Sequence, residues 1–372
     1  MIGQPLLRSA QNRYSIHQIR GTRARKPLSK TNPGRFFEDF SVGETLVHAT
    51  PRTVTEGDRA LYTALYPTRF ALYSSDPFAR NCGLPESPLE DLIGFHVAFG
   101  KTVPDVSLNA VANLGYAECR FLAPVYPGDT LATSSEVIGV KQNSNGRTGI
   151  VWVRSTARNQ TGEDVLTWVR WVMVRKRDPD SPAPAETVPD LAEVVAPEDL
   201  TLPDEGFGFQ NYDFDLAGEP YRLDDYEVGE IIDHVDGVTI SEAEHMLATR
   251  LWQNTSKVHF NAEVREDGKR LVYGGHIISL ARALSFNGLA NAQTVAAING
   301  GSHVNPCFAG DTVHAWSEVL DTAALDVPGV GALRMRLVAT RGRAETPRLR
   351  GDDGKYESNI LLDLDYWALV PR

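Results

Sequence analysis

The stretch FSVGETLVHATPRTVTEGDRALYT, residues 40–63, occurs again without gaps as YEVGEIIDHVDGVTISEAEHMLAT, residues 226–249. A second matched pair follows in the same order, because FLAPVYPGDTL at residues 121–131 corresponds to HVNPCFAGDTV at residues 303–313. Two matched blocks in the same order indicate an internal repeat. The chain is therefore predicted to contain two copies of one fold.

Each copy has the same predicted helices in the same order. A helix is expected to begin after Thr55 and after Ser241, because both residues are good N-caps and acidic residues follow them. A longer apolar helix follows at residues 92–103 in the first copy and at residues 275–290 in the second. The apolar composition of this second helix predicts that it lies in the core.

Long β-rich runs follow the apolar helices, at residues 130–177 and 312–343. Turn-forming pairs divide these runs into hairpins, at Asn145-Gly146, Thr161-Gly162 and Pro328-Gly329. The fold class is therefore predicted to be α+β, with an antiparallel sheet wrapped around a central apolar helix in each copy. A single such sheet has an open edge and face that the second copy can cover.

The composition of the chain predicts four segments. Residues 1–28 contain no acidic side chain and many arginines, so we expect a disordered leader; a mitochondrial transit peptide is the alternative. Residues 178–218 are rich in proline and acid and are predicted to be a linker. The two folded copies then occupy residues 29–177 and 219–372.

The overall composition is that of an ordinary globular protein. Of 372 residues, 42% are hydrophobic and 23% are charged, and no apolar run reaches the length of a membrane span. The net charge of −11 argues against nucleic acid as a partner. The three cysteines, Cys82, Cys119 and Cys307, show no metal-ligand spacing. We therefore expect a cytoplasmic protein without structural zinc.

The stretch WQNTSKVHFN, residues 252–261, carries the most informative chemical motif. Its Asn254 and His259 precede the helix opened by Gly274 and Gly275. This arrangement resembles the motif of the MaoC-type (R)-enoyl-CoA hydratases, Asp-x-Asn-Pro-x-His followed by a glycine at the start of the central helix. Longer stretches resemble the mesaconyl-CoA hydratases, also called β-methylmalyl-CoA dehydratases: residues 34–58, 99–116, 170–178, 253–261 and 272–292.

The resemblance implies two hot dog folds in one chain and a hydro-lyase activity. The implied reaction is the reversible addition of water to mesaconyl-CoA, giving β-methylmalyl-CoA, in acetate and glyoxylate assimilation. The implied partner is a small acyl-CoA, and no metal or cofactor is expected because CoA is part of the substrate. We also expect whole chains to associate as a homo-oligomer, with a dimer favoured.

Hydration of an enoyl thioester needs a base for the water, a proton for the α-carbon and donors for the thioester oxygen. His259 is the candidate for both proton transfers, because an imidazole titrates near neutral pH. The N–H of Gly275 or His276 is the candidate oxyanion donor, beside Gly274 at the helix start. The alternatives are a histidine that is only hydrogen-bonded at a turn and glycines that only permit a tight turn.

The first copy has Tyr73 and Thr68 where the second has His259 and Asn254. Neither can replace an imidazole in proton transfer at neutral pH, so one active centre per chain is expected. The first copy is expected to shape the substrate groove instead. The candidate substrate contacts are Arg69, Tyr73, Arg80, Asn261 and Gly274.

Asn254 departs from the aspartate of the wider family. We hypothesise that an amide avoids repulsion from the carboxylate on the β-carbon of mesaconyl-CoA, and the alternative is a simple turn cap. Three other functions stay open: an acyl-CoA thioesterase, a hydratase of another enoyl-CoA, and a non-catalytic acyl-CoA binder.

Overall fold

The first copy forms one half of a large antiparallel sheet with four helices. The structure, a computed structural model, describes residues 30–343 and 345–372, so the predicted leader at residues 1–28 lies outside the described residues. The strands of this copy are β1 (Thr45–Val47), β2 (Arg52–Thr53), β3 (Ala110–Phe121), β4 (Thr130–Gln142), β5 (Thr148–Arg158) and β6 (Asp164–Arg175). Its helices are α1 (Glu56–Leu65), α2 (Ala71–Ser74), α3 (Asp76–Asn81) and α4 (Asp91–Thr102).

The second copy repeats this order of elements. A short helix in the linker, α5 (Phe214–Ala217), comes before it. The helices of the second copy are α6 (Glu242–Leu251), α7 (Gly274–Leu284) and α8 (Phe286–Leu289). Its strands are β7 (Ile231–Thr239), β8 (Thr294–His303), β9 (Thr312–Ala324), β10 (Val330–Arg341) and β11 (Ile360–Pro371). No helix among the described residues is long and apolar enough to cross a membrane.

The two half-sheets join into one sheet of 11 strands, in the order β1-β4-β5-β6-β3-β8-β11-β10-β9-β7 with β2 beside β4. The junction is an antiparallel pair of β3 with β8, in which Tyr116 lies opposite Gly301 and Arg120 lies opposite Ala297. Each copy thus satisfies the backbone hydrogen bonds at the edge strand of the other. The prediction of two antiparallel half-sheets that cover each other is confirmed.

The two central helices, α4 and α7, meet in a shared core. Phe95 of α4 and Ile278 of α7 belong to the same buried apolar cluster. A hydrogen bond also joins the two helices, because His96 Nε2 lies 2.8 Å from Ser279 Oγ. The copies therefore share one continuous core rather than two separate ones.

The predicted helix starts and hairpin turns are confirmed. Ser241 Oγ accepts a hydrogen bond from the N–H of Glu244 at 3.3 Å, and the Glu244 carboxylate accepts one from the Ser241 N–H at 3.0 Å. This reciprocal pair is a capping box that begins α6. The hairpin glycines Gly146, Gly162 and Gly329 have φ angles of 66°, 89° and 77°, which an L-residue rarely adopts.

The second apolar helix is shorter than predicted. The sequence predicts a helix through residue 290, but α7 ends at Leu284 and the backbone is non-helical at Asn287 and Gly288. Gly288 has a φ of 97°, and the Glu219 carboxylate accepts hydrogen bonds from the N–H groups of Gly288 and Ala290 at 2.6 and 3.1 Å. The carboxylate replaces the helical hydrogen bonds that the break removes.

The predicted linker packs against the sheet. Its Phe207 and Phe209 belong to a buried cluster with Trp367 of β11. The indole N–H of Trp367 donates to the carbonyl of Val195 at 3.0 Å, and the Val195 N–H donates to Asn299 Oδ1 at 2.9 Å. The segment between the copies therefore also covers apolar surface on the sheet.

We predict that residues 206–372 alone do not form a stable monomer, because the edge of β8 and the face of α7 would both be exposed. Residues 29–372, purified in parallel, are the matched control. Sedimentation and thermal unfolding followed by circular dichroism should show a cooperative transition for the control only. A monomeric, cooperatively folded and active fragment would contradict the prediction.

Candidate active site

A cavity of about 330 Å³ lies between the two copies. The first copy contributes residues of α4, the turn after it, β3 and β6 to the wall. The second copy contributes the segments around His259 and Gly274, and the end of β8. A cavity of this size, lined by both apolar and polar side chains, is typical of a small-molecule site.

His259 lines this cavity and is held in one tautomer. It ends a short 3₁₀ turn, Lys257–His259, and its Nδ1 lies 2.8 Å from the carbonyl oxygen of Leu271. Because a carbonyl only accepts hydrogen bonds, Nδ1 carries the proton and Nε2 keeps its lone pair. The ring also packs edge-on against Tyr273, with 5.6 Å between ring centroids.

The imidazole of His259 is neutral at physiological pH. Removal from bulk water lowers its pKa to about 4, although part of the residue remains accessible from the cavity. The hydrogen bond to Leu271 acts in the opposite direction but is the smaller effect. The resting residue can therefore accept a proton at Nε2.

Asn254 lies in the wall of the same cavity with 5% of its surface exposed. Its Oδ1 accepts a hydrogen bond from the Ser256 N–H at 2.9 Å, which closes a turn before His259. This bond fixes the orientation of the amide, because only the oxygen can accept it. The Nδ2 group has no hydrogen-bond acceptor among the described residues and remains available as a donor.

The start of α7 supplies backbone donors beside the base. Gly274 lines the cavity, whereas Gly275 and His276 do not. The N–H groups of Gly274 and Gly275 have no acceptor among the described residues. The N–H of His276 is used by the carbonyl of Tyr273 at 2.9 Å, and its side chain is buried 3.1 Å from the hydroxyl of Tyr66.

Three residues that the sequence did not single out also line the cavity: Tyr116, Arg170 and His303. Tyr116 Oη lies 3.0 Å from His303 Nε2, so the two side chains join β3 to β8 at the cavity wall. Burial lowers the pKa of His303 to about 4, so this imidazole is also neutral. No carboxylate side chain of the described residues lines the cavity.

The sequence contains a pattern that points to one of these residues, Arg170. It belongs to the inward-facing row of β6 that also contains Trp168 and Val172, both fully buried. A charged residue in an otherwise apolar, alternating row is unusual in a core. His303 ends the stretch NGGSH, residues 299–303, which has no recognisable catalytic motif.

In the first copy, the start of the central helix α4 is hydrogen-bonded to other parts of the protein. Asp91 is the first residue of α4, as Gly274 is of α7. Its Oδ2 accepts hydrogen bonds from the Tyr73 hydroxyl and, at 2.7 Å, from the N–H of Val295. The first copy thus has a hydrogen-bonded carboxylate at the start of its central helix, where the second copy has glycines whose N–H groups are unpaired among the described residues.

The other predicted substrate contacts lie away from the cavity wall. Arg69 stacks on the ring of Phe286 at 4.4 Å, and Arg80 donates to the carbonyl of Pro85 at 3.4 Å on the surface. Asn261 accepts a hydrogen bond from the N–H of Glu263 at 2.9 Å. Of the predicted site residues, the structure brings His259, Asn254 and Gly274 together at the cavity.

Sequence comparison identifies the family. A family model described as mesaconyl-CoA hydratase matches residues 23–352. Mesaconyl-CoA hydratase from Cereibacter sphaeroides is 68% identical over 343 residues, which covers 92% of this chain and 100% of that protein. Beta-methylmalyl-CoA dehydratase from Chloroflexus aurantiacus is 60% identical over 352 residues, with 92% and 99% covered.

Solved structures agree with the fold. A MaoC domain protein dehydratase from Chloroflexus aurantiacus superimposes with a TM-score of 0.90 at 60% identity, covering 92% of this chain and 99% of that chain. A Mycobacterium tuberculosis protein with a double hotdog fold superimposes with a TM-score of 0.72 at 26% identity, covering 91% and 99%. The predicted fold, two hot dogs in one chain, is confirmed.

We predict that Gly274→Ala destabilises the protein, because a Cβ at this position would overlap the ring of His303. Overpacking of this kind costs about 1–3 kcal/mol of unfolding free energy. Gly300→Ala in β8 is the matched control, since the nearest atom to its added Cβ is 3.9 Å away. Chemical denaturation measures both variants, and equal stabilities would refute the steric argument.

Proposed function

The chain belongs to the mesaconyl-CoA hydratase family, and we propose that it catalyses the reversible addition of water to mesaconyl-CoA, giving β-methylmalyl-CoA. Membership makes the chain a hydro-lyase. The observation that carries the proposed mechanism is the fixed tautomer of His259, whose Nε2 lone pair has no protein partner among the described residues.

His259 acts as the base that activates water at the β-carbon. Its lowered pKa keeps the imidazole neutral before reaction, as a base requires. The carboxylate on the β-carbon of mesaconyl-CoA brings a negative charge next to the reacting water. A nearby anion favours the imidazolium, so substrate binding raises the pKa of His259 when the proton must be accepted.

The N–H group of Gly274, which lines the cavity, stabilises the developing enolate, and the N–H of Gly275 lies next to it in the same helix turn. Hydroxide addition to the β-carbon moves the double-bond electrons towards the thioester oxygen, which becomes negative. N–H groups at the positive end of the 11-residue helix α7, which have no acceptor among the described residues, suit this charge. The imidazolium of His259 then gives the proton to the α-carbon, so that one water is added in total.

A direct assay distinguishes the hydratase from an acyl-CoA thioesterase. A hydratase removes the enoyl absorbance of mesaconyl-CoA and leaves the thioester intact, whereas a thioesterase releases free thiol. We expect loss of absorbance without thiol release. Rapid thiol release would replace the proposal with the thioesterase function, and neither signal would leave a non-catalytic acyl-CoA binder.

We predict that His259→Ala lowers kcat for mesaconyl-CoA by about 10²–10⁴-fold, the usual contribution of a general base. Binding should survive, because the imidazole contacts water rather than the acyl chain. His314→Ala is the matched control, since His314 lies on β9 outside the cavity wall. Stopped-flow absorbance and calorimetry measure turnover and affinity, and a His259→Ala enzyme with normal kcat would exclude this mechanism.

Asn254 adapts the site to the substrate charge. Its Oδ1 is used by Ser256, so Nδ2 is the group available to the water or to the substrate carboxylate. An aspartate here would face that carboxylate, and two charges 4 Å apart repel by about 4 kcal/mol at an effective dielectric constant of 20. The same turn would form with either residue, because a carboxylate oxygen also accepts the Ser256 N–H.

We predict that Asn254→Asp shifts the ratio of kcat/KM values away from mesaconyl-CoA and towards crotonyl-CoA, which lacks the carboxylate. Asn145→Asp is the matched control, because Asn145 Oδ1 also accepts an N–H two residues on, at 2.9 Å, but lies on the surface. Steady-state kinetics with both substrates measure the ratio. An unchanged ratio in Asn254→Asp would reject the charge argument.

A further inference from the structure

Arg170 is a buried charge without a charged partner. It lies in the middle of β6, 1% of its surface is exposed, and it lines the cavity that contains His259. None of the carboxylates in the described residues forms an ion pair with it. A buried charge of this kind is costly unless an anion compensates it.

The guanidinium is held in place but not saturated. Its Nη2 donates to Thr102 Oγ1 at 2.7 Å and to Ser107 Oγ at 3.3 Å. The group also stacks on the ring of Phe99, 4.2 Å from the centroid. Among the described residues, the buried Nε has no hydrogen-bond partner, and both side-chain hydrogen bonds of Arg170 are made by Nη2 rather than by Nη1.

The structural contacts do not account for the charge. Two neutral hydroxyls and one aromatic ring orient the side chain, but they leave N–H donors and a full positive charge in the core. Burial lowers the pKa of Arg170 to about 10, so the group is still protonated at neutral pH. A guanidinium that is held rigidly and keeps unused N–H donors is suited to bind an anionic ligand.

We propose that Arg170 binds the carboxylate on the β-carbon of the acyl group and so makes the enzyme specific for dicarboxylic acyl-CoA substrates. This inference rests on the proposed function, because it assigns a partner to the second carboxylate of mesaconyl-CoA. A guanidinium matches a carboxylate in charge and in geometry. The first copy thus supplies the group that selects the substrate, and the second supplies the base.

Asn113 of β3 supports this assignment. Its Oδ1 and Nδ2 atoms are both buried and have no hydrogen-bond partner in the part of the chain that the structure describes, and the residue lines the same cavity. Buried amides without partners are rare in folded proteins. The Nδ2 group can donate a further hydrogen bond to the carboxylate that Arg170 holds.

The test compares two substrates with one carbon skeleton. Tiglyl-CoA is mesaconyl-CoA with a methyl group in place of the carboxylate. Arg170→Met should lower kcat/KM for mesaconyl-CoA by at least about 30-fold, as expected when one member of a buried charge pair is removed. The value for tiglyl-CoA should change by less than about threefold, and Arg170→Lys should lie between Arg170→Met and the natural protein, because lysine keeps only the charge.

Two controls separate specificity from folding. Arg175→Met changes the exposed arginine at the end of the same strand and should leave both kcat/KM values unchanged. Replacing an uncompensated buried charge with an apolar side chain is expected to leave the melting temperature unchanged or to raise it. A purely structural Arg170 would instead show a lower melting temperature and an equal loss with both substrates, which would overturn the proposal.

Binding measurements keep the two proposals separate. Calorimetry in the His259→Ala background gives the affinities for mesaconyl-CoA and tiglyl-CoA without turnover. If the natural protein does not hydrate mesaconyl-CoA, the proposed function fails, but a selective loss of mesaconyl-CoA affinity in Arg170→Met would still support the carboxylate site. If hydration occurs and the affinity ratio does not change, only the Arg170 proposal is rejected.

Discussion

The antiparallel pairing of β3 with β8 is the interaction on which the rest of the structure depends. It joins two half-sheets that would otherwise each expose an edge strand. Its register places Tyr116 opposite Gly301, two residues before His303, so that the Tyr116 hydroxyl reaches the His303 ring at 3.0 Å. The same pairing brings α4 and α7 together and encloses the cavity between the two copies. A change of register by one residue would reverse the faces of these side chains and remove the site.

The two copies share one fold but contribute different groups to the cavity. At the start of α7 the second copy has glycines, whose N–H groups are unpaired among the described residues. At the start of α4 the first copy has Asp91, which takes hydrogen bonds from Tyr73 and Val295. A carboxylate at a helix N-terminus stabilises the helix but leaves no room for a substrate oxyanion. The first copy instead contributes residues of β3 and β6 to the wall of the cavity beside the glycines of the second copy.

Local signals in the sequence predicted most of the fold. The N-caps and the hairpin glycines depend only on neighbouring residues, and the repeat is visible when the two halves of the sequence are aligned. These predictions agree with the structure. The end of α7 was predicted too late, because Glu219 acts on Gly288 from a distant part of the chain. In the site, His259, Asn254 and Gly274 share one short region with a recognisable spacing. Arg170 comes from the other copy, and only the β3–β8 register places its strand beside that region, which periodicity cannot predict.

The charged and neutral polar side chains of the cavity wall together suit an anionic ligand. The wall contains the Arg170 guanidinium, two neutral imidazoles and the Asn254 amide, but no carboxylate among the described residues. An aspartate at 254 would place a negative charge in the same poorly hydrated cavity as the Arg170 guanidinium, where opposite charges attract more strongly than in water. The amide leaves the positive charge uncompensated in the free protein. A substrate with a second carboxylate would compensate the buried positive charge of Arg170 when it binds. A neutral acyl chain would leave that charge uncompensated. The proposed selectivity for a dicarboxylic acyl group would therefore depend on the uncharged Asn254 as well as on the charged Arg170.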